Sequence, residues 1–211
     1  MKKADLRWIR NISTVDVRKV GNLIDEGMHH RVYEYGHDEV IKIPRRRFNF
    51  LYSKRSNLES DILLIQTYFP GLAIRTVIHS SADQNQHCMV QEKVKKFRSL
   101  DQDSIHNVKS DFNKLLLKNQ QLRIKHNCSL DLLGGHGVMS CIGHFFGGKK
   151  KPYFSNTVLM NKKGGLVLRL IDTELLRLSL TSYTFIGVLS WIFSYSSLLS
   201  TRLCLRYIGI R

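Results

Sequence analysis

A lysine inside an apolar strand constrains this chain more than any other feature. Val40-Ile41-Lys42-Ile43 has the composition of a buried strand. Side chains alternate across a strand, so Lys42 faces away from the side taken by Ile41 and Ile43. An ammonium group held against an apolar sheet without a counter-charge is costly. The fold must therefore carry an anion to Lys42. Glu59, at the start of the next predicted helix, is the first candidate and Asp61 the second.

The neighbouring segments give Lys42 its setting. Residues 1–20 read as a polar lead-in ending in a first strand. Residues 20–43 are predicted to form an antiparallel hairpin, with Gly27 in the turn at its head. A glycine there lets backbone amides approach a phosphate without a side chain in the way. Leu58, Ile62, Ile65 and Phe69 recur at helical spacing, and Pro70-Gly71 stops that helix. Residues 74–79 and 88–94 read as two further strands. Residues 101–127 are mainly helical, and the glycine-rich stretch 132–151 reads as loop. Residues 157–160 and 166–171 form a hairpin around Asn161-Lys162-Lys163-Gly164-Gly165, and the chain from Thr173 onward reads as helical.

That second hairpin carries an oxygen pair. Asn156 precedes its first strand and Asp172 ends its second. Antiparallel pairing sets those two ends side by side. An amide oxygen and a carboxylate are hard ligands that suit Mg²⁺. Asp172 equally suits a helix cap ahead of Thr173.

Composition bounds the rest. The chain has 211 residues, room for one good core or two small lobes, and its 43% hydrophobic and 24% charged content is that of a globular chain. A net charge of +16 favours phosphate-bearing partners: nucleotides, nucleic acid or an anionic membrane surface. No nucleic-acid-binding motif is present, so nucleic acid is not the expected partner. Four irregularly spaced cysteines and the lack of an apolar signal core in the first ten residues predict a cytoplasmic setting. His126, Cys128, His136, Cys141 and His144 are metal-capable residues, but their spacing matches no common zinc module. Residues 178–201 carry no charge and lie between Arg177 and Arg202. They suit either a membrane span or a helix buried in a C-terminal lobe.

Taken in order, the glycine turn, strand lysine, helix glutamate, loop asparagine and strand-terminal aspartate resemble the protein-kinase-like superfamily. Its glycine motif ends in valine, matched by Val32, which places Gly27 on the middle glycine. Val40-Ile41-Lys42 resembles the lysine-bearing strand. The resemblance implies that Lys42 holds ATP phosphates and pairs with Glu59, and that Gln91, Glu92 and Lys93 lie beside the adenine. It also implies that Asn156 and Asp172 bind Mg²⁺. The expected fold is α+β and two-lobed, with a β-rich lobe over residues 1–94 and a reduced helical lobe over 95–211.

The departures bear on the reaction. Typical kinases place a catalytic aspartate shortly before the asparagine, where this chain has Lys151. Asp131 is the nearest carboxylate and the candidate base. Asp172 is followed by Thr173-Glu174, and the stretch beyond is short for a full substrate lobe. The pattern is closer to small bacterial kinase-like proteins and to sugar or aminoglycoside kinases. The expected activity is ATP-dependent phosphotransfer to a hydroxyl of a small molecule, sugar or lipid-linked acceptor. The alternatives are a pseudokinase and a basic membrane-surface or nucleic-acid-binding protein.

Overall fold

The computed structural model describes residues 1–27, 30–45, 55–95, 97–148, 151–162, 165–171, 175–178 and 185–207. Over these the chain is mixed α and β, with antiparallel sheets and helices. It divides into two units. One comprises Met1–Ile62 and Ile74–Val94, the other Leu63–Ala73 and Lys95–Arg211. Residues 63–73 group with the second unit.

In the first unit the apolar alternation builds a five-stranded sheet. Strands β1 (Val20–Glu26), β2 (His30–Tyr35), β3 (Glu39–Pro44), β4 (Thr76–Ser80) and β5 (His87–Glu92) lie in the order β1-β2-β3-β5-β4, every pair antiparallel. The ladder from β1 to β2 shifts register twice, between Val20 and Leu23 and between Leu23 and Asp25. Ile41 and Ile43 are fully buried on one face with Tyr33, Cys88 and Val90.

A helix the sequence did not announce covers that face: α1 (Lys3–Arg10), from which Trp8 and Ile9 enter the same cluster as Ile12. Its polar composition masks one buried anchor. Asp5 accepts from Arg31 Nη1 at 2.8 Å and from the Tyr33 hydroxyl at 2.6 Å. Helix α2 (Arg55–Tyr68) covers the opposite face, where Leu58 and Ile62 pack on Met89. The same helix runs on into the second unit, where Ile65 joins another core with Phe69.

The second unit packs helices on a three-stranded sheet. Strand β6 (Phe97–Asp101) leads into the short helix α3 (Gln102–Ile105) and then α4 (Lys109–His126). Strand β7 (Cys128–Leu130) precedes helix α5 (Gly134–Phe145). Then come β8 (Tyr153–Lys162), β9 (Gly165–Leu170), β10 (Leu175–Arg177) and α6 (Phe185–Tyr207). The sheet order is β6-β8-β9, and β7 pairs separately with β10. Phe112 of α4 meets Phe154 of β8 edge-on, at 5.4 Å between ring centres.

Two segments depart from expectation. The glycine-rich stretch 132–151 contains helix α5 instead of loop alone, because its glycines serve close packing. A Cβ on Gly137 would sit 2.7 Å from the Tyr153 carbonyl oxygen. The stretch after Thr173 is not one helix either: β10 forms first, Leu175 to Arg177 lying opposite Leu130 to Cys128. Among the described residues no helix is long and apolar enough to cross a membrane.

Candidate functional site

Lys42 takes the position its alternation dictates. Its neighbours across the strands are Val32 of β2 and Met89 of β5. Residues directly opposite in an antiparallel pair share a face, so Lys42 and Met89 lie on the side that α2 covers. There the two carboxylate candidates separate. Glu59 is exposed, whereas Asp61 is wholly buried. Both flank the stripe of Leu58 and Ile62, one on each side, and only the Asp61 side is covered.

Gly27 follows β1, and its carbonyl accepts from Arg45 Nη1 at 2.8 Å. Beside it Glu26 pairs with Lys2 at 2.7 Å, Arg31 at 3.1 Å and Arg45 at 3.5 Å. Hydrogen bonds from Lys2 and then Arg31 hold the Glu26 carboxyl down to about 2. A Cβ on Gly27 would meet the His30 carbonyl oxygen at an ordinary 3.6 Å, so local packing does not require a glycine.

The expected purine-facing segment is already engaged. Gln91 sits between β3 and β4, opposite Val40 and Thr76, and its side chain donates to Thr76 Oγ1 at 2.9 Å. The Glu92 amide donates to the Arg75 carbonyl at 3.2 Å and the Lys93 amide to the Asp38 carbonyl at 2.7 Å. Lys93 Nζ pairs with Glu34 at 2.9 Å. The amides of Glu92 and Lys93 are therefore committed within the protein.

In the second unit, Asp131 and Asn156 meet. Asn127, in the left-handed conformation at φ 55°, ends α4 and turns the chain into β7. Buried Asn119 fixes that strand by accepting from the Leu130 amide at 2.9 Å. Asp131 follows directly. Its Oδ1 accepts from the Gly134 amide at 3.0 Å and from the Ser197 hydroxyl of α6 at 2.8 Å. Its backbone carbonyl accepts from Asn156 Nδ2 at 2.8 Å, closing a separation of 25 residues. Ser155 donates through its amide and hydroxyl to the Leu133 carbonyl. The Ile171 amide donates to the Asn156 carbonyl at 3.0 Å, which brings the residue before Asp172 to Asn156. Asp172 itself lies outside the described residues.

Gly134 makes this closure possible. Its φ of +66° favours glycine, and a Cβ there would press on Ser155 Oγ and lie 2.6 Å from Asn156 Oδ1. Nδ2 is used on Asp131, and Oδ1 is the atom with which Asn156 could hold a cation. Ser197 is the contact the sequence did not indicate. A serine in an uncharged run carries no mark that it will reach a carboxylate 66 residues away.

The other singled-out residues have packing or surface roles. Lys151 forms an exposed pair with Asp103 at 3.1 Å. His126 lies 3.0 Å from the Tyr68 hydroxyl, and the His144 ring meets Tyr207 at 4.6 Å. Cys128 and Cys141 are buried in the core. Among the described residues no group of three or more His, Cys, Asp or Glu side chains is placed to hold a metal ion.

No protein-family description matches the chain, and no curated protein matches it. One similar solved structure is the GDP and kanamycin complex of APH(2")-IIia. It is 14% identical, with 99% of this chain and 84% of that chain covered and a TM-score of 0.39. Another is the GDP complex of wild-type aminoglycoside 2'-phosphotransferase-IIIa, also 14% identical, with coverage of 95% and 80% and a TM-score of 0.37. Likenesses this distant carry no weight in the assignment that follows.

Proposed function

We propose that the protein is a kinase-like, ATP-dependent phosphotransferase acting on a hydroxyl of a small molecule, sugar or lipid-linked acceptor. The observation that supports this reading best is the 2.8 Å bond from Asn156 Nδ2 to the Asp131 carbonyl. It joins the candidate base to the candidate metal-binding amide, and the Ile171 amide extends the group toward Asp172.

In this reading Lys42 holds the nucleotide phosphates. Its carboxylate partner is Asp61, which burial favours over the exposed Glu59. The turn at Gly27 faces the phosphates, with Arg45 holding the Gly27 carbonyl back. Asn156, through Oδ1, and Asp172 are the residues to hold Mg²⁺, which when bound neutralises charge on the transferring phosphoryl group. Asp131 takes the proton of the acceptor hydroxyl, its carboxylate steadied by Ser197 and Gly134. A purine held along residues 91–93 is read through groups other than the amides of Glu92 and Lys93.

A second reading, a pseudokinase that binds nucleotide without transfer, has its own support. Asp131 Oδ1 already accepts two hydrogen bonds, and Lys151, at the usual base position, pairs with Asp103.

Thermal-shift titration with ATP, with and without Mg²⁺, tests the nucleotide site. A Mg²⁺-dependent rise that Lys42→Ala and Asp172→Ala abolish supports both readings, and no rise at millimolar nucleotide sinks both. Asp131→Asn then separates them. Phosphotransfer that Asp131→Asn removes while ATP binding persists supports the enzyme, and wild-type protein that binds ATP without turnover supports the pseudokinase.

A further inference from the structure

Helix α6 exposes a long apolar face. Among the described residues the side chains it buries outright are Ser194, Ser197, Thr201 and Cys204, with Leu205 and Tyr207 packed part-buried against the core. Those it exposes are Val188, Trp191, Ile192, Tyr195, Leu199 and Leu203. The exposed set recurs every three or four residues, so it forms one stripe along the helix, opposite the buried set. Leu199 is 59% exposed while Ser197 is 2% exposed. A surface helix in water shows the reverse arrangement. Contiguous exposed apolar stripes of this kind mark a surface meant to be covered.

Charge indicates what covers it. Arg202 and Arg206 are exposed, and helical phase sets them on the same stripe in its last turns. From residue 132 to 171, and again from 175 to 211, the sequence has no carboxylate, and Lys149-Lys150-Lys151 follow α5. Helix α5 packs along α6, Cys141 Sγ lying 3.7 Å from the Ser200 carbonyl oxygen, and exposes Met139, Ile142 and Phe146 of its own segment. Trp191 and Tyr195 form a tilted ring pair at 4.7 Å between centres. Aromatic rings on an apolar stripe that carries Arg202 and Arg206 and no carboxylate of its own suit the boundary between headgroups and acyl chains.

We infer that the exposed face of α6 docks the protein on an anionic membrane surface, lying in the interface without crossing it. This does not rest on the phosphotransfer reading.

The test uses the full chain with vesicles of phosphatidylcholine alone or mixed equally with phosphatidylglycerol. The expected result is co-sedimentation with the anionic vesicles, weakened by salt. Ile192→Glu with Leu199→Glu should lower it about tenfold or more, and Arg202→Glu with Arg206→Glu should lower it too. Vesicles with brominated acyl chains should quench tryptophan emission in the wild-type protein. Trp191→Phe should remove that quenching, leaving the emission of buried Trp8. This readout stands even if the charged variants fold poorly. The inference is overturned if the protein ignores both vesicle types, if quenching survives Trp191→Phe, or if well-folded Ile192→Glu/Leu199→Glu binds unchanged. A wild-type dimer that binds no vesicle and that this double variant dissociates also overturns it, and makes the face a self-association surface.

Discussion

The Ser197 hydroxyl donates to Asp131 Oδ1 at 2.8 Å, so a residue of the last helix fixes the carboxylate that opens the candidate catalytic segment. Removing the bond by Ser197→Ala should lower stability by roughly 1.5–3 kcal/mol, the range for hydrogen bonds to charged groups. Asp131→Asn keeps an acceptor for Ser197 and for the Gly134 amide, so its melting temperature should change little. If Asp131 is the base, turnover in that variant falls by about 10²–10⁴ while the ATP-induced thermal shift is retained. Calorimetry and a phosphotransfer assay on the two variants separate the roles.

Two glycines should respond in opposite ways. Gly134→Ala forces a side chain onto a φ of +66° and toward Asn156 Oδ1. Backbone strain alone makes this about 1–3 kcal/mol destabilising, and the steric conflict adds to it. Gly27→Ala meets only the ordinary contact with His30 and should stay within about 0.5 kcal/mol of wild type. In the kinase reading Gly27→Ala still weakens ATP binding. Chemical denaturation and nucleotide titration of both variants check the contrast.

Asp5 is the buried anchor of α1, with Arg31 and Tyr33 as partners. Asp5→Ala leaves Glu26 as a carboxylate partner of Arg31 but removes the acceptor of two charge-assisted hydrogen bonds, and should cost roughly 1.5–3 kcal/mol, measured by denaturant titration. Burial, and then the bond to Asp5, push the Tyr33 hydroxyl up to about 12 from an ordinary value of 10.0. A raised value means the folded state holds the proton more tightly. This contribution is therefore complete below pH 10 and is lost as pH rises toward 12. Glu26 acts at the other end. Held at about 2 against an ordinary 4.5, it contributes above pH 4.5 and the contribution disappears as pH falls through 2. Melting temperature against pH should decline at both ends, and Tyr33→Phe should flatten the alkaline limb.

All four cysteines are buried thiols. Burial pushes the Cys88 and Cys204 thiols up to about 12. A thiol this far from its thiolate is a poor nucleophile. A chromogenic thiol reagent should leave the folded protein unmodified and titrate all four groups after denaturation.

The legibility of the sequence varied with the range of the interaction. The alternation of Val40 to Ile43 gave strand and facing correctly, because burial there is set by neighbours one and two residues away. Glu59 and Asp61 flank the stripe of Leu58 and Ile62 at equal angles, so spacing within the helix does not show that Asp61 is buried and Glu59 exposed. Helix α1 was hidden because its buried Asp5 looks like a surface residue until Arg31 and Tyr33 are alongside. Helix α5 was hidden because glycines that permit close approach to Tyr153 and Asn156 have the composition of a loop. Ser197 had no local signal at all, its partner being distant in the chain.

The two register shifts in β1 have a consequence for how copies of this chain treat one another. β1 is an outer strand, and it exposes Leu23 and Ile24. A straight outer strand with such side chains is a template onto which another extended chain can add. The shifts break the even spacing of its outward amides and carbonyls, so an incoming strand finds no continuous ladder. Irregularity here protects against fibre growth. Removing both extra residues, one from 21–22 and the other at 24, would regularise the edge and trade solubility for stickiness.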